Sequence, residues 1–61
     1  MKIENKSESG ITIFFTLDEL YILNNSLNEV CNGLPLRDFE NRMGATIAEA
    51  EELFSQINRI L

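Results

Sequence analysis

A single cysteine in a chain of 61 residues, with no histidine, most narrows what this sequence can fold into. A chain this short buries only about 60% of the surface it exposes when unfolded, so small domains usually depend on a disulfide, a metal or a partner chain. Cys31 has no second thiol to pair with. Without histidine, one thiolate also cannot assemble a zinc site. No Asp/Asn alternation leading to Gly and Glu marks a calcium loop. The expectation is one domain over 1–61, with no cofactor, stabilised either by good packing alone or, the favoured reading, by self-association into a homodimer.

The first sixteen residues have the period-two pattern of a hairpin. Met1 and Ile3 alternate with Lys2 and Glu4. Ile11, Ile13 and Phe15 alternate with Thr12, Phe14 and Thr16. β-Branched and aromatic residues at this spacing mark strands. The polar segment Lys6–Gly10 reads as a five-residue loop, and Ile3 is expected opposite Ile13.

Helical signals follow. Thr16 and Glu19 have capping-box spacing, and Leu20, Leu23, Leu27, Val30 and Cys31 form an apolar stripe. These predict a helix over 17–31, with Asn32 and Gly33 as its stop and Pro35 just beyond. Leu36, Phe39 and Met43 predict a short helix over 36–43, ended by Gly44. Thr46 and Glu49 repeat the capping box, and Ile47, Ala50, Leu53, Phe54, Ile57, Ile60 and Leu61 give a third helix a wide apolar face. The expected fold is α+β: an N-terminal hairpin followed by three helices in a compact bundle.

Catalysis is not expected. The chain has no histidine, no phosphate-binding glycine loop and no serine on a strand-turn-helix elbow. Its adjacent carboxylates, Asp18/Glu19 and Glu51/Glu52, point about 100° apart on a helix and do not converge on one atom. Residues 39–53 have helix-turn-helix spacing, which gives a DNA-binding alternative. The second of these helices would meet phosphates with Glu49, Glu51 and Glu52, so nucleic acid is an unfavoured partner.

The net charge is −5. Asp18, Glu19, Glu49, Glu51 and Glu52 define a candidate acidic patch, formed if the two helix starts lie side by side. Such a patch suits an inhibitor or immunity-type protein that caps a partner with a basic surface. The apolar candidates are Ile11, Ile13, Phe14, Phe15, Tyr21 and Ile22. Phe14 is on the strand face opposite Ile13 and Phe15, while Tyr21 and Ile22 stray from the stripe of the first helix, so all are candidate interface residues for a hairpin-mediated homodimer.

Cys31 reads as a small core hydrophobe. Asn24, Asn25 and Asn28 give the first helix an amide-rich face, suited to a polar contact. Arg42 is a candidate ion-pair partner for Glu29. The polar start of the chain does not resemble a signal peptide, and the longest apolar run, Leu20–Leu23, is too short to span a bilayer. With the free thiol, this leads to an expected cytoplasmic location.

The stretch Leu27–Gly33, followed by Phe39, Arg42, Met43 and Gly44, resembles short bacterial proteins of uncharacterised function over residues 16–61. That resemblance implies a bacterial cytoplasmic origin and brings no activity, ligand or catalytic residue with it. The primary expectation is a non-catalytic interaction or regulatory module.

Overall fold

The computed structural model describes residues 1–61. It contains strands β1 (Lys2–Ser7) and β2 (Gly10–Phe14), then helices α1 (Leu17–Gly33), α2 (Leu36–Met43) and α3 (Ile47–Ile60). The α+β arrangement of a hairpin and three helices is as the residue pattern predicts. No strand Cα comes within 8 Å of a helix Cα, so the hairpin meets the helices only at its base, where the Met1 ammonium pairs with Glu19 of α1 and Met1 and Phe15 face Ile22 and Leu23.

The strands pair antiparallel, with Ile3 opposite Ile13 as expected and Lys2 opposite Phe14. The loop is tighter than the polar run suggests. Ser7 faces Gly10, so only Glu8 and Ser9 form the turn. The difference is absorbed by a bulge between Ile3 and Asn5, which lets β1 continue through Asn5 and Lys6 opposite Thr12 and Ile11. The Ser7 hydroxyl is 3.0 Å from that of Ser9 and donates to the Gly10 carbonyl at 3.3 Å.

Both long helices open with complete capping boxes. The Glu19 N–H donates to Thr16 Oγ1 at 3.2 Å, and the Thr16 N–H donates to Glu19 Oε1 at 3.0 Å. The same reciprocal pair joins Thr46 and Glu49, at 3.1 and 2.9 Å. Each box satisfies backbone donors that the first helical turn cannot.

The end of α1 differs from expectation. Gly33 stays helical without a positive φ, and the chain leaves through an extended Leu34, whose N–H donates to the Val30 carbonyl at 3.3 Å. Gly44 does stop α2, in the left-handed conformation at φ 69°. A Cβ added at Gly44 meets nothing within 4 Å, so the penalty for Gly44→Ala is conformational alone. We expect it to lower unfolding free energy by about 1–2 kcal/mol, measured by urea denaturation.

The core is small. Only Phe39, on α2, and Ala50, on α3, are fully buried. The α1 stripe of Leu20, Leu27, Val30 and Cys31 is half-buried, and α1 packs on α3. Two residues expected in the core of α3, Leu53 and Ile60, face solvent. Their side of the helix has no further element to cover it. The radius of gyration is 13.0 Å, against about 10.5 Å for a compact chain of this length.

Candidate functional surface

Asn24 on α1 donates through Nδ2 to Asn58 Oδ1 on α3, at 3.3 Å. Cys31 and Asn32, late on α1, share a groove of about 360 Å³ with Glu51, Phe54, Ser55 and Asn58. The middle of α1 thus meets the end of α3 while the last turn of α1 reaches back to Glu51 and Phe54, so the two helices run antiparallel. The amide-rich face finds a use here. Asn24 contacts the neighbouring helix, and Asn32 Nδ2 donates to the backbone and side-chain oxygens of Asn28 at 2.8 and 2.9 Å. Cys31 is half-buried in the wall of the groove rather than enclosed in a core.

The antiparallel packing divides the acidic candidates. Asp18 and Glu19 lie at one end of the α1–α3 pair, and Glu49, Glu51 and Glu52 at the other. They do not form the single patch that side-by-side helix starts would have made. Several are also engaged. Both Glu19 oxygens accept from the Met1 ammonium, at 2.7 and 2.8 Å, and Glu49 closes its capping box. Glu52 accepts from Gln56 at 3.2 Å and lies 3.8 Å from Arg59. Arg42 makes no ion pair with Glu29; the ion pairs are Met1–Glu19 and Glu52–Arg59.

These contacts have a pH signature. The Met1 ammonium, followed by the Thr16 N–H, holds the Glu19 carboxyl below its usual range. Glu49 is lowered by the Thr46 N–H and then by the Thr46 hydroxyl. A carboxylate whose pKa is depressed by folding stabilises the native state above its unfolded pKa. That contribution is lost as pH falls through the lower folded value. The midpoint of thermal unfolding should therefore fall as the solution is acidified below about pH 4. Glu19→Gln combined with Glu49→Gln should flatten that acid limb, measured by circular dichroism melts across pH.

The apolar candidates make a larger surface. Exposure reaches 50% at Ile11, 55% at Phe14, 50% at Tyr21 and 65% at Ile22. Ile13 and Phe15 are half-buried. Strand alternation puts Ile11, Ile13 and Phe15 on one face with Ile3, and Phe14 on the other with Thr12. The first face continues into a hollow of about 270 Å³ between the hairpin and α1, lined by Met1, Phe15, Glu19, Ile22 and Leu23. Phe15 and Ile22 are thus brought together, whereas Phe14 and Tyr21 are not part of the hollow. Sequence reasoning left Met1, Ile3 and Leu23 out of the surface. Alternation already placed the first two on the correct face, but Leu23 had no signal separating it from the core stripe.

The accessible surface of the chain is 4993 Å², whereas a folded monomer of 7.0 kDa exposes roughly 4,000 Å². The excess, about 1,000 Å², is comparable to the ~800 Å² that each partner buries in a standard protein interface. No group of histidine, cysteine or acidic side chains is arranged to hold a metal ion. No helix is long and apolar enough to cross a membrane. No protein-family model, curated protein or solved structure matches the chain.

Proposed function

We propose that this chain is a non-catalytic protein-interaction module that acts as a homodimer, with the N-terminal hairpin and the adjoining side of α1 as its interface. The observation that carries this reading is the exposure of the hairpin's apolar faces. A two-stranded hairpin is marginal in water without further strands or a covering helix. Here Ile3, Ile11 and Phe14 are all half or more exposed, on both faces, and no helix covers them. The surplus of accessible surface, which also includes Leu36, Leu53 and Ile60 on the helices, is large enough to hold one partner's share of an interface.

The acidic-cap alternative has less support once its carboxylates are divided between two ends of the helix pair. The helix-turn-helix alternative has in its favour the short Gly44–Thr46 connection between α2 and α3. It has against it the carboxylates of Glu49, Glu51 and Glu52 on α3.

Sedimentation equilibrium over a concentration series tests the proposal. A dimer is the expected species, and a monomer at all concentrations overturns it.

A further inference from the structure

The sheet has two strands, so each strand has one free edge, and the two edges differ. β1 carries Lys2, Glu4 and Lys6 and is interrupted by the bulge between Ile3 and Asn5. Charged side chains and bulges are the devices by which edge strands avoid pairing with another chain. β2 has neither. Gly10–Phe14 is unbroken and uncharged, and contains two isoleucines, a threonine and a phenylalanine. An open row of backbone donors and acceptors with such side chains is a template for a further strand.

β2 is also complementary to itself. Antiparallel pairing of two copies about Thr12 sets Thr12 against Thr12, Ile11 against Ile13 and Gly10 against Phe14. Threonine pairs and β-branched pairs are favourable cross-strand neighbours, and an aromatic ring laid over a glycine covers backbone that would otherwise be wet.

We infer that two copies of this chain join through β2, antiparallel and centred on Thr12, to make a continuous four-stranded sheet in the order β1–β2–β2–β1. This rests on the hairpin-dimer reading and gives it a geometry. Ile3 and Ile13 of one copy then continue into Ile11 of the other, forming one apolar band across the sheet. The charged β1 strands become the outer edges, where their guarding is needed. The two-fold axis passes through an uncharged segment, so the net charge of −5 on each copy does not meet itself at the centre.

The test uses single introduced cysteines in a Cys31→Ser background. Directly opposed residues in an antiparallel pair have Cα atoms ~4.5–5.5 Å apart, within the range a disulfide spans. Asn5 lies beside Thr12 on β1, and its two copies would be three strand spacings apart, about 14 Å. Under mild oxidation Thr12→Cys should form a covalent dimer roughly tenfold or more faster than Asn5→Cys, because only the former is held at high effective concentration. Sedimentation equilibrium of the reduced parent chain separates the two levels of the claim. A dimer in which Thr12→Cys crosslinks no faster than Asn5→Cys overturns the β2 pairing and leaves the hairpin dimer standing. A monomeric parent overturns both.

Discussion

Phe39→Ala should abolish cooperative unfolding. Phe39 is 1% exposed and is the only large side chain the fold encloses completely. Truncating a buried phenylalanine costs about 3–5 kcal/mol, from lost transfer energy and the cavity left behind. A domain of this size is stabilised by only about 3–9 kcal/mol in total. The removed interaction is thus a large share of what holds the helices together, and α2, eight residues long, is too short to persist alone. Circular dichroism during heating should show a broad, non-cooperative loss of helix. Leu36→Ala is the matched control on the same helix. Leu36 is 71% exposed, and its truncation should move stability by no more than about 0.5 kcal/mol. Equal effects from the two substitutions would mean that the core does not centre on Phe39.

Ile13→Lys should disperse the dimer without unfolding the helices. Ile13 is opposite Ile3 within the chain and, in the proposed assembly, opposite Ile11 of the second copy. Burial of an aliphatic side chain is worth about 1.5–3 kcal/mol, and the two-fold axis applies the substitution twice. The loss of roughly 3 kcal/mol or more corresponds to a weakening of at least about 100-fold in the dimer dissociation constant. Because the hairpin meets α1 only at its base, through Met1 and Phe15, and Ile13 does not line that junction, the helical circular dichroism of the variant should match that of the parent. Sedimentation equilibrium reads the first effect and far-ultraviolet dichroism the second. A variant that remains dimeric would remove the Ile face of the hairpin from the interface.

The parts of this fold that were legible in the sequence are those set by neighbouring residues. Thr16 with Glu19 and Thr46 with Glu49 mark helix starts because the contact they make spans three residues. Gly44 marks a helix end because the chain needs a positive φ there. Alternation placed Ile3 opposite Ile13. Local signals failed where a second segment decides the outcome. The bulge in β1 is fixed by pairing with β2, and the resulting turn is shorter than the polar run that contains it. Gly33 carries the composition of a helix stop, yet the chain reached its stop one residue later through a hydrogen bond from Leu34 to Val30. The single acidic patch is conditional in the sequence because a sequence does not state the relative direction of two helices; the Asn24–Asn58 contact, together with the groove that joins Cys31 to Glu51 and Phe54, gives it. Leu53 and Ile60 have core character, but no strand or helix of the fold lies over them. For the candidate interface, residue type identified the apolar set, and the hollow joining Phe15 to Ile22 emerged only from tertiary structure.

The narrow junction between hairpin and helices has a kinetic consequence. Within the helical part, the contact that joins distant points of the chain is the α1–α3 seam, where Asn24 meets Asn58 across 34 residues; helix formation and hairpin closure are otherwise local and take microseconds or less. Apart from the exposed Met1–Glu19 ion pair, the helices make no contact that waits for the strands. If the strands become persistent only when a second copy arrives, refolding after dilution from denaturant should divide into two phases. A fast one, independent of protein concentration, would restore the helical signal. A slower one, with a rate that rises with concentration, would report the sheet. The chain would then complete its own structure by a bimolecular step, and the amount of it present would set how much of it is fully folded.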